Sequence, residues 1–376
     1  MVNSPTTPEI LALSPPSNSA TVGAGGDGLI SIVSLAEVGA TAWDDFVTGS
    51  ESSLPTQTSA WEGILRQTYG FPCHFLAALQ HGQIQGVLPL FRVKSFLMGD
   101  SLQSMSGAVC AASPQAALAL LGAADDLARQ LNVDYLLLRD SRQAWDGCSL
   151  EVLDAHRGVR LHLPADSETA WKNLHKDLRY HIRNGARKGD IDIVADRPLV
   201  DEFYEVLLRG NHQMGTPLYS KRFVINVAQG FPGRFSTALG YCDGEMIAGY
   251  FNLIQGTTAF GMWGTTLHSH LPLMPTHRLF WAMFEQAIHQ GLNLMDMGRS
   301  AYPSSQYNFK AKWGDEIYPI YQLFRIYRGK MPAVLNVSRA LQDNGRISFL
   351  SRAWPKLPLP VVRSLGPALR RHIPFG

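Results

Sequence analysis

Two stretches of this chain, about 160 residues apart, run through the same order of features, and that order restricts the fold more than any other property of the sequence. In the first, a helical pattern over residues 59–69 ends at Gly70. A strand over 75–80, a turn at His81 and Gly82 and a returning strand over 84–93 then read as a hairpin. Ser113 and Pro114 open an Ala- and Leu-rich helix over 114–130, since a hydroxyl caps the free amides of a first turn and proline needs no amide there. A strand over 133–138 ends at Arg139 and Asp140. The second stretch has helices over 199–209 and 221–229, a strand over 235–241, a turn at Asp243 and Gly244, strands over 246–254 and 258–263, a helix over 276–290 and a closing strand over 292–297. Gly82 matches Gly244, Gly86 matches Gly249 and Asn132 matches Asn293, at offsets of 162, 163 and 161 residues. The order implies one mixed α/β unit present twice.

With 376 residues, 45% of them hydrophobic and 17% charged, the chain has enough apolar material for about two domains. The units fall at 29–163 and 164–330. They are preceded by a Ser-, Pro-, Thr- and Gly-rich tract over 1–28, read as a disordered tail, and followed by a basic, proline-interrupted extension over 331–376. A net charge of +2 indicates no partner by itself. Cys73, Cys110, Cys148 and Cys242 are too widely spaced for a zinc site or a disulfide framework, so no bound metal or cofactor is expected. No run approaches ~20 apolar residues, and no basic-then-apolar leader opens the chain, which gives a cytoplasmic expectation.

Chemistry-bearing residues concentrate after the closing strand of the second unit. Asp296, Gly298, Arg299 and Ser300 are followed by Tyr307, Phe309, Lys310, Trp313 and Gly314. An ion pair between Asp296 and Arg299 would account for those two alone. Lys310 between Phe309 and Trp313 asks for more: a cation aimed at a developing oxyanion acts most strongly where aromatic rings exclude water. Asp296 then orients Arg299 or takes a proton. Tyr307, Phe309, Trp313 and Trp263 are substrate contacts, and His268, His270 and His277 are rival bases. There is no GxSxG, Walker or GxGxxG motif.

A second informative stretch covers residues 168–188. On a helical wheel Trp171, Leu174, Leu178, Ile182 and Ala186 share one side, and Lys172, Lys176, Arg179, Arg183 and Arg187 the other. The cationic face is either a solvated surface or a phosphate-binding stripe, with Lys176, Arg179 and Arg183 as its contacts. In 331–376, cations alternate with apolar residues. That suits a peripheral contact at the inner membrane or a segment wrapped on the body of the protein.

The hairpin "LAALQHGQIQGVLPL", its counterpart "ALGYCDGEMIAGYFNL" and the closing "LMDMGRSAYPSSQYNFKAKWG" resemble the Fem-type acyltransferases with tandem GNAT folds. More narrowly, they resemble the FemAB-like proteins found beside PEP-CTERM and exosortase systems, over about residues 29–330. The resemblance implies two packed GNAT domains and transfer of an acyl or aminoacyl group to an amine of a cell-envelope or exopolysaccharide precursor. The donor would be a cosubstrate, aminoacyl-tRNA or acyl-CoA, and the acceptor a phosphate-bearing sugar or a lipid-linked molecule. Lys310 occupies the position of the lysine that stabilises the reacting centre. One departure stands out. The segments 264–275 and 104–113 lack the Q/RxxGxG/A turn whose amides grip coenzyme A, which leaves room for an inactive accessory protein that binds a lipid- or nucleotide-linked sugar.

Overall fold

The computed structural model describes residues 29–329 and 351–372. The tail over 1–28 and residues 330–350 of the extension lie outside the described residues. Strands β1 (Ser31–Ser34), β2 (Cys73–Gln80), β3 (Gln83–Ser95), β4 (Gly99–Ser104), β5 (Cys110–Ala111), β6 (Tyr135–Ser141) and β7 (Glu151–His162) belong to the first half of the chain. Strands β8 (Ile191–Val194), β9 (Phe235–Cys242), β10 (Glu245–Gln255), β11 (Thr258–Thr266), β12 (Leu294–Ala301) and β13 (Glu316–Ile326) belong to the second. The helices are α1 (Leu35–Val38), α2 (Ala40–Gly49), α3 (Ala60–Tyr69), α4 (Pro114–Gln130), α5 (Ser167–Asn173), α6 (Lys176–Lys188), α7 (Val200–Gln213), α8 (Lys221–Gly230), α9 (Pro275–His289), α10 (Ser305–Lys310) and α11 (Leu359–Arg370).

The described strands join one sheet in the order β1-β2-β3-β4-β6-β13-β7-β12-β11-β10-β9-β8, with β5 added to β3. Read from either edge, the order of elements is the same, as a duplication requires, up to the middle. There the last strands change places: β7 pairs with β12 of the second half, and β13 pairs with both β6 and β7. Each half therefore completes the other's sheet. β13 contains Pro319, which lacks an amide donor, but pairing with β6 begins only at Tyr321, so the proline interrupts no ladder on that side.

The two hairpin turns repeat in detail. His81 and Gly82 have φ of 51° and 75°, Asp243 and Gly244 have 51° and 77°, the double left-handed conformation of a two-residue turn. The third sequence match does not repeat: Asn132 is left-handed, whereas Gly291 takes that conformation in the second half. Helix α4 starts as expected, with the Ser113 hydroxyl accepting the Ala116 amide. The helix expected over 168–188 is broken, because Leu174 and His175 are extended, and it becomes α5 and α6. Leu174, Leu178 and Ile182 are buried against α9, while Ala186 faces outward.

One core joins α2, α3, α7 and α8 around Trp43, Trp61, Phe203, Phe223 and Phe251 and extends to Trp354 and Val362 of the C-terminal segment. The described part of the extension is thus wrapped on the body. Arg363 clamps Glu205 of α7 with two 2.6 Å hydrogen bonds. No helix among the described residues is long and apolar enough to cross a membrane.

Candidate active site

Strands β11 and β12 run parallel and pair only from Thr258 with Leu294 to Phe260 with Asp296. Beyond that point they part, and a cavity of about 1010 Å³ opens between the halves. Gly298 sits at the fork. Its φ is 70°, and a β-carbon there would meet the Gly261 carbonyl oxygen at 2.9 Å, so strand separation at this point needs glycine.

Asp296, 1% exposed and the last residue of β12 to pair with β11, is the hub of the site. Its Oδ2 accepts from Arg142 Nη2 at 2.9 Å and Arg160 Nε at 3.3 Å; Oδ1 accepts the Gly298 amide at 2.9 Å; the Tyr318 hydroxyl lies 2.9 Å from both oxygens. The Tyr318 ring lies between the guanidiniums of Arg142 and Arg160, 4.2 and 4.5 Å from its centroid. Gly158 on β7 makes that possible, since a β-carbon there would fall within 2.3 Å of the phenol. Burial works to raise the Asp296 pKa, but Arg142, the Gly298 amide and Arg160 outweigh it and hold the carboxylate ionised. With its lone pairs filled, Asp296 is poorly suited to accept a proton from substrate.

Arg299 does not pair with Asp296, as the sequence suggested. It reaches across to Asp140 at the end of β6, Nη1 to Oδ1 at 2.9 Å, because Gly298 turns the intervening backbone and Asp296 is already engaged. Gln322 and Ser106 complete the Asp140 shell at 2.7 Å each. Burial opposes its ionisation, yet Arg299 and Arg139 carry its pKa well below the carboxylate range.

Lys310 ends α10, whose first turn is capped by Ser304 accepting the Tyr307 amide. Its Nζ donates to the Arg299 carbonyl at 3.1 Å, and the side chain lines the cavity beside Phe309. Burial pushes its pKa down to about 8, partly countered by Asp296. His156 and His277 also line the wall. Burial, with Arg299 beside His156 and His181 beside His277, lowers both to about 4, so both imidazoles are neutral near pH 7.

Residues 172–311 match a family described as an acetyltransferase (GNAT) domain. The matched residues lie within the second unit, which thus carries a GNAT domain. Among solved structures it is similar to FemX, at 13% identity and a TM-score of 0.60, covering 77% of this chain and 96% of that one. It is also similar to the C-terminal domain of a putative lysylphosphatidylglycerol synthetase from Agrobacterium fabrum, at 14% identity and a TM-score of 0.53, covering 83% and 98%. A tandem GNAT protein from the clavulanic acid biosynthesis pathway matches at 13% identity and a TM-score of 0.53, covering 80% and 100%. No curated protein matches the sequence. The fold is thus the expected mixed α/β sheet of two tandem GNAT units.

On this GNAT scaffold the expected site residues separate into three groups. Lys310, Asp296, Arg299, Phe309 and Trp263 line the cavity. Trp313 does not: it is 3% exposed and packs in the core against Phe280 and Phe284. Tyr307 is turned away too, its ring edge-on to Tyr302 at 4.9 Å. Lys176, Arg179 and Arg183 lie on α6, outside the cavity wall, with Arg183 stacked over Trp171. Of the rival histidines, His268 and His277 line the cavity and His270 does not. The sequence reading missed Arg142, His156, Arg160 and Tyr318. These lie on β7 and β13 or beside β6, and only the strand exchange brings them to Asp296 and the cavity. The alternation of apolar and polar residues from Val159 to His162 was the available signal.

Proposed function

We propose that this protein transfers an acyl or aminoacyl group to an amine held in the cavity between its two GNAT units. The observation that carries the reading is Lys310, whose ammonium is held by a backbone carbonyl and faces a cavity that opens where β11 and β12 part. The amine nitrogen attacks the carbonyl carbon of an ester or thioester, and the C–O or C–S bond breaks. The Lys310 ammonium stabilises the oxyanion, the amine proton passes to a neutral imidazole such as His156 or His277, and the leaving group departs protonated. Asp296 and Arg299 act as positioning groups: Asp296 fixes the fork, and the Arg299 carbonyl aims Lys310. The acceptor we propose is an amine of a cell-envelope or exopolysaccharide precursor, and the donor aminoacyl-tRNA or acyl-CoA. The likeness to FemX and to a lysylphosphatidylglycerol synthetase domain supports the aminoacyl donor. So does the α9 entry, where residues 268–274 form a 3-10 turn and a left-handed Met274 in place of a glycine-rich amide cradle.

The test is transfer from charged tRNA and from acyl-CoA, with donor binding measured at two salt concentrations. Lys310→Ala is expected to abolish transfer while the thermal melt is kept. Full turnover by that variant refutes the role given to Lys310, and binding of neither donor would favour the reading as an inactive sugar- or lipid-binding accessory.

A further inference from the structure

The cavity wall is charged out of balance. Among the described residues five cationic side chains line it, Arg139, Arg142, Arg299, Lys310 and Arg370, against two carboxylates, Asp140 and Asp296. Both carboxylates are consumed: Asp296 by Arg142, Arg160 and Tyr318, and Asp140 by Arg299, Ser106 and Gln322. Lys310 donates to the Arg299 carbonyl and Arg370 to the Tyr219 hydroxyl, and the remaining cation is Arg139. It is 4% exposed, and its Nη1 has no hydrogen-bond partner among the described residues. A guanidinium only donates, so the missing partner must be an acceptor, and a buried cation is costly until an anion supplies one. Two further buried polar atoms on the same wall, His156 Nδ1 and Ser300 Oγ, also lack partners. From the other side α11 brings Arg370, whose Nη2 donates to the Tyr219 hydroxyl at 2.7 Å and whose guanidinium stacks over that ring.

We propose that Arg139 is the anchor of an oxyanion-binding subsite, taking a carboxylate or phosphate of the acceptor while its amine faces Lys310. Arg299 links the two ends, with its side chain on Asp140 beside Arg139 and its carbonyl on Lys310. The planar fork of an arginine suits bidentate contact with either anion. The C-terminal helix belongs to this subsite through Arg370, so it forms a wall of the site as well as covering the core. Calling the anion part of the acceptor rests on the transfer reading. The anion site itself does not.

The experiment is equilibrium binding to the full chain, without turnover, at constant ionic strength. The probes are O-phosphoethanolamine, β-alanine and ethanolamine, followed through the tryptophans of the cavity wall. Wild type is expected to bind the phosphate or the carboxylate probe at least tenfold more tightly than ethanolamine, and the stronger of the two identifies the anion. Arg139→Met is expected to lose that preference and to melt at a higher temperature than wild type, because it removes a buried guanidinium whose Nη1 has no hydrogen-bond partner among the described residues. Arg139→Lys is expected to retain part of the preference. Equal binding of all three probes by wild type overturns the proposal, as does unchanged selectivity in Arg139→Met. A melting point lowered by Arg139→Met also overturns it, since the guanidinium would then be holding the fold. Lys310→Ala should keep the anion preference, so failure of the transfer reading leaves this result standing.

Discussion

Strands β6 and β12 occupy matching places in the two units, and they have been put to different uses. Each carries a buried carboxylate, Asp140 or Asp296, and each carboxylate takes its guanidinium from the other half, Arg299 for Asp140 and Arg142 with Arg160 for Asp296. The segments beyond the two strand ends differ. After β12 comes α10, which lifts Lys310 to the cavity, whereas β6 runs through an irregular segment into β7. Around the β6 end, Thr56 and Gln57 bond the carbonyls of Ser106 and Ala108 at 2.6 and 3.1 Å and fasten the neighbouring loop. Duplication supplied two equivalent strands; the loop beside one is tied down by Thr56 and Gln57, and the other kept a fork and gained a lysine.

The largest expected effect tests how the two carboxylates are held. Asp296→Ala strands the Arg142 guanidinium and leaves Arg160 with Glu316 alone, and should cost about 3–5 kcal/mol, the range for breaking a buried pair. Asp140→Ala, which frees one bonded guanidinium, should cost less; urea unfolding of both decides, and equal losses would erase the distinction drawn between the two ends. Next comes the chemistry. Lys310→Ala should lower kcat by about 10²–10³-fold, the usual range for one oxyanion donor, with little change in melting temperature. Arg299→Ala should lower kcat less than Lys310→Ala but also destabilise, since it leaves Asp140 buried without its guanidinium; a purely catalytic loss would break that assignment.

Titration separates the two uses further. Lys310 is charged below its pKa of about 8, so transfer should decline as the pH rises through 8, and Lys310→Arg should move that decline upward. His156 and His277 hold folded pKa values of about 4 against an ordinary 6.5, so the unfolded chain binds more protons between those values. Stability should therefore be intact above pH 6.5 and fall as the pH drops towards 4, most visibly in the melting temperature. A flat profile over that window would mean the imidazoles are not buried neutral. The smallest effect is expected on α6. Arg183→Ala, exposed and stacked on Trp171, should change stability by about 0.5 kcal/mol or less and leave transfer unaltered; a large loss of transfer would return the basic face to the site.

Much of the scaffold was readable because its signals are local. Paired Gly82 and Gly244, the Ser113-Pro114 start and the apolar spacing of α9 each act within a few residues. β4, β7 and β13 escaped. β4 is a short Gly- and Ser-containing strand, β7 is rich in charged residues and histidine, and β13 carries a proline between apolar residues. None has the apolar run of an ordinary central strand. Trp313 and Tyr307 were drawn towards the site by sequence proximity to Lys310, but one turn of α10 and the chain after it are enough to send Trp313 into the core and Tyr307 against its margin, away from the cavity.

The doubled α/β unit, its two hairpin turns and the lysine after the closing strand are properties of the amino-acid order alone, since each depends on backbone chemistry and short-range pattern. Which charges meet is a property of the assembled sheet. Asp296 lies 154 residues from Arg142 and 136 from Arg160, and Arg299 lies 159 from Asp140. Such distances carry no periodicity to read. They close because β7 and β13 exchange between halves, and burial then makes each carboxylate take whichever guanidinium the sheet has brought within reach.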